Sequence, residues 1–219
     1  MIKSFAEILN EKWYKPKRIW YHGSTDNFEI DEEYYSDHTE FFLSADYYTA
    51  KSFAEPIGGP KRKSYIYWFR FKRPLNIFCT SSKKDRKKFV DHLKNNKKDY
   101  DLLKRRLTGA TDEYEDDAPF SKMIIHWFKE GGGGTLYELY FSSIIENMGY
   151  DGYTSFEGST YRSPNIALFQ KNLNSKIELL KKTETETHTW EEYKSKNEDE
   201  DTGKTYEKMF DWDDSEIDL

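Results

Sequence analysis

The stretch IWYHGST, residues 19–25, decides how this chain is read. Ile19, Trp20 and Tyr21 run into His22, and a small flexible pair, Gly23 and Ser24, follows at once. Aromatic and β-branched residues ended by a glycine break predict a strand that finishes with an imidazole on the rim of a sheet. Glycine has no side chain to cover its backbone amide and carbonyl, so this rim suits a flat polar ligand. A strand-end histidine before a turn is more often structural, and the stretch gains meaning only from partners elsewhere in the chain.

Reading outward, the predicted strand at 18–22 is followed by a polar loop from Asp26 to Thr39 and a short apolar strand, Glu40-Phe41-Phe42-Leu43-Ser44. Ala45 or Asp46 can cap a helix that carries Ala50, Phe53 and Ala54 inward, and Pro56 with Gly58-Gly59-Pro60 ends it. SYIYWFRF (64–71) alternates and is aromatic, the clearest strand signal in the chain, and residues 74–78 are expected to continue the sheet after a bend. Between 81 and 130 a lysine- and arginine-rich helical period replaces the β pattern, with Phe89, Leu93, Tyr100, Leu103 and Leu107 as its apolar stripe. The run GGGG at 131–134 lacks the Lys-Ser/Thr order of a phosphate-binding loop and reads as a connector. Residues 135–148 predict a helix with Gly149 as its C-cap; a short strand near YTSF, a polar loop at 157–164, the strand NIALFQ and KIELLKK follow. The sum is an α+β fold with a mostly antiparallel core.

The chain has 219 residues and 17 Tyr, 15 Phe and 6 Trp, yet a net charge of −6, which fits one compact aromatic core with charged segments attached. Its organisation is read as an amphipathic N-terminal helix at 1–17, a core domain at 18–182 with the helical insertion at about 81–130, and an acidic tail at 183–219. From Lys83 to Arg106 eleven Lys/Arg stand against four acids, whereas from Glu184 onward fourteen acids stand against four lysines. The tail's high charge and sparse apolar residues predict poor order, as a solubilising segment or one that docks on the basic stretch or on a partner. No run of about 18 apolar residues occurs, so no membrane span is expected, and without a signal-peptide pattern the protein is expected to be cytoplasmic. A lone cysteine, Cys79, excludes an intrachain disulfide, and the five histidines lack ligand spacing, so no metal is expected.

Tyr21-His22-Gly23-Ser24, then Phe41-Phe42-Leu43-Ser44 before a helix, then Gly149-Tyr150-Asp151-Gly152 before Asn165-Ile166-Ala167-Leu168-Phe169: in this order the three blocks resemble the ADP-ribosyltransferase superfamily. The likeness is to its diphtheria-toxin and poly(ADP-ribose) polymerase branch, marked by His, Tyr and Glu on three strands. The resemblance implies split antiparallel sheets flanked by helices and NAD as substrate without a metal. His22 would bond the ribose and the Gly23 backbone the carboxamide, with Tyr21 and Ser24 alongside. The second-strand tyrosine falls on Phe42, a second stacking aromatic on Phe53, and Ser44 would bond the cofactor. The glutamate position holds Asn165, whose amide can orient a hydroxyl but cannot act as a base.

Glu157, in the loop before that strand, is the nearest acid to replace it, or else a solvated loop residue; Asp151 is a weaker candidate. Arg162 would pair with the pyrophosphate or a target phosphate, or stay a surface arginine. The expectation is a mono-ADP-ribosyltransferase of toxin or phage or bacterial effector type, acting on a protein or nucleic-acid acceptor. The alternative is an inactive relative kept as a binding or inhibitory module. The basic segment 83–106 is either a nucleic-acid contact or a solvated helical face.

Overall fold

Strand-forming aromatics and helical stripes arrange themselves into one sheet with helices against it. The protein's computed structural model describes residues 18–30, 40–55, 61–108, 124–125, 127–128, 138–155 and 165–187, with the backbone alone at 106–108, 138–139 and 155. In chain order the elements are β1 (Ile19–Ser24), β2 (Glu40–Ser44), α1 (Tyr47–Ala54), β3 (Lys63–Phe71), β4 (Ile77–Phe78), α2 (Lys83–Asn95), α3 (Lys97–Thr108), α4 (Glu138–Asn147), β5 (Gly152–Ser155), β6 (Asn165–Phe169), α5 (Leu173–Lys176) and β7 (Ile177–Glu186). The architecture is α+β, with seven strands in the order β4-β5-β6-β2-β1-β3-β7.

All neighbouring strands are antiparallel except β4 and β5. Instead of the two sheets expected, the strands form one, but its middle is weak. β1 pairs with β3 over six residues and β2 with β6 over five, whereas β1 and β2 share the single rung Tyr21–Ser44. Four strands lie on one side of this rung and three on the other.

Period-2 alternation sends successive residues of each strand to opposite faces. Phe41, Leu43, Ile166 and Leu168 join Trp20, Tyr67, Phe69 and Phe71 in one buried cluster. Their alternates Phe42, Ala167 and Phe169 belong to the other, which holds Phe89, Leu93 and Leu103 of α2 and α3, Phe141 and Ile144 of α4, and Trp127. The basic helical segment therefore packs its apolar stripe directly on the sheet. Trp127 stacks on Phe141 at 4.1 Å and 4°, an aromatic pair that fixes α4 against the helical residues 127–128.

Helix ends follow the sequence signals. Asp46 caps α1 by accepting from the Thr49 amide at 2.8 Å, and Ser82 caps α2 by accepting from Asp85 N–H at 3.3 Å. Gly149 has φ +86°, and Tyr150 N–H donates back to Ile145 C=O, so the glycine closes α4 in a left-handed turn that side chains resist.

Residues 77–78 continue the sheet after a bend, as expected; as β4 they cross to the edge opposite β7 and pair with β5 in parallel. The Arg73 guanidinium clamps Asp151 at 2.6 and 2.9 Å, and Asp151 accepts from Asn76 N–H, which holds the redirected chain. One segment departs from expectation: β7 extends past 182 to Glu186 along β3. Thr183, Thr185 and Thr187 alternate with Glu184 and Glu186, whose carboxylates pair with Lys63 and Lys61 at 2.8 and 3.0 Å. A bulge between Trp68 and Phe69 leaves Leu180 as the extra residue. The N-terminal helix, the linker at 109–117, GGGG and the tail beyond 187 lie outside the described residues.

Gly152 sits where β5 meets β6 so closely that an added Cβ would lie 2.2 Å from Ala167 O and 2.9 Å from Leu168 Cα. Both contacts are backbone and cannot rotate away. Gly152→Ala is expected to destabilise the fold by about 2–3 kcal/mol, read as a lower denaturant midpoint; an unchanged midpoint would contradict this packing.

Candidate functional site

His22 stands at the point where the sheet nearly parts. Beyond the Tyr21–Ser44 rung β1 and β2 form no further pair, and the imidazole fills the interval: its Nδ1 lies 2.7 Å from Phe42 O. A carbonyl only accepts, so Nδ1–H is the donor and Nε2 is left as an unprotonated acceptor. Among the described residues, no group bonds Nε2.

Aromatic rings surround this imidazole. It stacks on Phe41 at 4.5 Å and 20°, meets Phe28 edge-on at 5.4 Å and lies 6.1 Å from Tyr67. The Tyr67 hydroxyl donates to Asp26 O and accepts from Phe28 N–H, tying the loop after β1 over the ring. This burial lowers the His22 pKa to about 4, against a smaller raising effect from the Phe42 carbonyl. The histidine is neutral at physiological pH.

Of the residues the sequence pointed to, the structure brings together His22, Tyr21, Phe42, Ser44 and Asn165 on three adjacent strands. Tyr21 lies opposite Ser44, and Ser44 opposite Asn165. The register puts these three with Phe42 on one face, while the His22 ring contacts the other face, with Phe41 and Tyr67; the Phe42 carbonyl is the link between them. Ser44 and Asn165 are 4 % and 5 % exposed. Ser44 Oγ accepts from Asp46 N–H and keeps its own proton to donate. Asn165 Oδ1 is buried without a hydrogen-bond partner, a desolvated acceptor that a ligand hydroxyl or amide would satisfy.

Gly23 is required for a reason the sequence did not reveal. A Cβ there would fall 1.8 Å from Ala50 O and 2.7 Å from Ala54 N, so α1 rests directly on β1 through Ala50 and Ala54. That close approach also corrects the expectation for Phe53. It does not turn inward but is 48 % exposed, because a helix seated on small residues leaves no depth for a ring three positions on from Ala50. Ser24 Oγ accepts from Asp26 N–H in the exposed turn.

Asp151 is not near this site. It is three strands from His22 and at the end of β6 opposite Asn165, where Phe169 N–H donates to its carbonyl, and it is engaged by Arg73 and Asn76; burial raises its pKa, but these bonds outweigh it and hold the carboxylate below its ordinary value. Glu157 and Arg162 lie outside the described residues.

Phe28, Phe41 and Tyr67, which wall the imidazole, were not singled out from sequence. The inward alternation of SYIYWFRF was the available signal for Tyr67. On the other face Tyr21 meets Trp68 edge-on at 5.2 Å and Tyr47 at 5.7 Å, extending an aromatic surface beside Ser44. Among the described residues no group of three His, Cys, Asp or Glu could hold a metal, and no helix is long and apolar enough to cross a membrane. Comparison with family models, with curated proteins and with solved structures finds no match.

The His22 environment fixes a pH dependence. The folded pKa of about 4 lies below the unfolded value of about 6.5, so the unfolded chain binds the extra proton between them. Stability from this group is full above pH 6.5 and falls as pH drops toward 4, by up to about 3 kcal/mol. Denaturant midpoints of the wild type and His22→Gln, followed from pH 7.5 to 4, should show the difference shifting against the wild type over that window; a constant difference would contradict it.

Proposed function

We propose that the chain is an NAD-dependent mono-ADP-ribosyltransferase of the toxin or phage or bacterial effector kind, modifying a protein or nucleic-acid acceptor. The observation that carries this reading is the gathering of His22, Phe42, Ser44 and Asn165 on three neighbouring strands at one break in the sheet, with the imidazole on one face and Phe42, Ser44 and the unsatisfied amide oxygen on the other. Those residues come from the three blocks that resemble the superfamily, and they are separated by more than 140 positions in the chain.

NAD supplies an electrophile activated by its cationic leaving group: the glycosidic bond breaks with its electron pair on the pyridinium nitrogen, neutral nicotinamide departs, and an acceptor nucleophile bonds the ribose carbon and loses its proton. Neutral His22 accepts from a ribose hydroxyl through Nε2, an interaction an imidazolium could not make. Phe42 offers an apolar ring to the flat nicotinamide. Ser44 donates and Asn165 Oδ1 accepts, so the pair fixes the orientation of one polar edge. Positive charge developing on the sugar calls for a nearby carboxylate, the role assigned to Glu157, with Arg162 on the pyrophosphate. Chain elongation is not part of this proposal, because the glutamate that would promote it is replaced by Asn165.

The buried Asn165 and the hydroxyl-free Phe42 favour a second reading, an inactive binding or inhibitory module on the same fold. Incubation with NAD labelled on its adenylate part separates the two. Label transferred to protein or nucleic acid, lost at least 100-fold in His22→Ala and at least tenfold in Glu157→Gln, supports the transferase. Saturable NAD binding with no transfer supports the module, and absence of binding defeats both.

A further inference from the structure

The helices α2 and α3 form a hairpin whose inner side belongs to the core and whose outer side is a field of cations. Phe89, Val90, Leu93 and Leu103 are buried, and a single residue, Asn96, joins the helices. The corner is pinned by His92 Nε2 against Asp99 Oδ2 at 2.6 Å and by Asn96 Nδ2 donating to the same oxygen at 3.0 Å. Cations on the hairpin are therefore displayed on a fixed support.

On α2 the exposed cations are Lys83, Lys84, Lys87, Lys88 and Lys94. At 3.6 residues per turn they spread over an arc of roughly 140°, with Asp91 the one exposed acid of α2 among them. On α3 Lys97, Lys98, Lys104 and Arg105 are exposed, beside one exposed acid, Asp101. Lys87 is paired with Asp91 at 2.9 Å and Lys88 with Asp85 at 3.2 Å. Among the described residues, Lys84, Lys94, Lys97, Lys98 and Arg105 have no ion-pair partner. Five uncompensated charges on one rigid hairpin repel one another, and a polyanion relieves that repulsion.

Charge alone does not name the polyanion, but the side chains around it do. The outer face has no exposed aromatic ring: Tyr100 is half-buried against the core, with Lys104 over it at 5.8 Å. Protein interfaces concentrate aromatics and are depleted in lysine, and single-stranded nucleic acid is held by stacking on aromatics. Neither fits a lysine-rich face without rings. A helix with cations across a wide arc matches the B-form major groove, about 12 Å wide and bordered by two phosphate backbones; the deep, narrow groove of an RNA duplex does not admit a helix.

We propose that the α2–α3 hairpin is a binding surface for the phosphate backbone of double-stranded DNA, engaged without base readout. The surface lies on helices apart from the His22 strands, and it is independent of the transferase reading. Neutralising about five phosphates corresponds to a salt slope near −4.5, or roughly 500-fold weaker binding between 50 and 200 mM salt.

Fluorescence anisotropy on the full chain with a labelled 30-base-pair DNA of two unrelated sequences tests this. Binding of both, with that slope, is expected, as is a loss of at least tenfold in Lys84→Glu/Lys94→Glu/Lys98→Glu/Arg105→Glu. The charge-preserving Lys84→Arg/Lys94→Arg/Lys98→Arg variant should bind as the wild type does, and the melting curves of all three proteins show whether each is folded. No binding at 50 mM salt, as when the chain's own acidic stretch beyond 187 occupies the cations, overturns the proposal. So does binding unchanged by charge reversal in a folded variant, or equal affinity for an RNA duplex, a polyglutamate peptide or anionic lipid vesicles.

Discussion

One backbone rung and one imidazole hold the two parts of this sheet together. β4, β5, β6 and β2 are laddered to each other, as are β1, β3 and β7, but among the described residues the hydrogen bonding between the strands of the two parts is the Tyr21–Ser44 pair and the bond from His22 to the Phe42 carbonyl. A strand carbonyl that loses its ladder partner must find another donor or pay for desolvation. His22 is that donor, and its tautomer follows from this duty; its low pKa comes from burial, against the raising effect of the bond.

Packing on both faces reinforces the junction. Phe41 stacks on the imidazole from one side, while Phe42 sends its ring into the helical core on the other. The close seating of α1 on Gly23 sets the height of the helix above β1. The site is consequently a defect in a sheet that is well packed elsewhere, with buried Ser44 and Asn165 at its edge. Unsatisfied polar groups at such a place are what a ligand site requires, since a complete ladder would leave nothing to bind.

Much of the fold was legible in the sequence because its signals are local. The strand Glu40–Ser44 has the predicted bounds, Asp46 caps the following helix, Gly149 closes α4, and the apolar stripe of Phe89, Leu93 and Leu103 is buried. What the sequence left open came where a distant residue decided the outcome. Arg73 and Asn76 bind Asp151, more than 70 positions away, and carry β4 to the far edge. Lys61 and Lys63 draw Glu186 and Glu184 into a strand where charge alone suggested the start of a tail.

Sequence by itself determined which residues favour strand, helix and turn, where the cations and acids concentrate, and which residues stand in the His, Tyr and Glu positions of the resemblance, because each is a property of neighbouring side chains. Only the tertiary structure decided that β1 and β2 meet at one rung, that Phe41 rather than Phe53 stacks in the interior beside His22, and that Gly23 answers to a helix. Those outcomes depend on the distance between segments far apart in the chain, which propensity and periodicity do not encode.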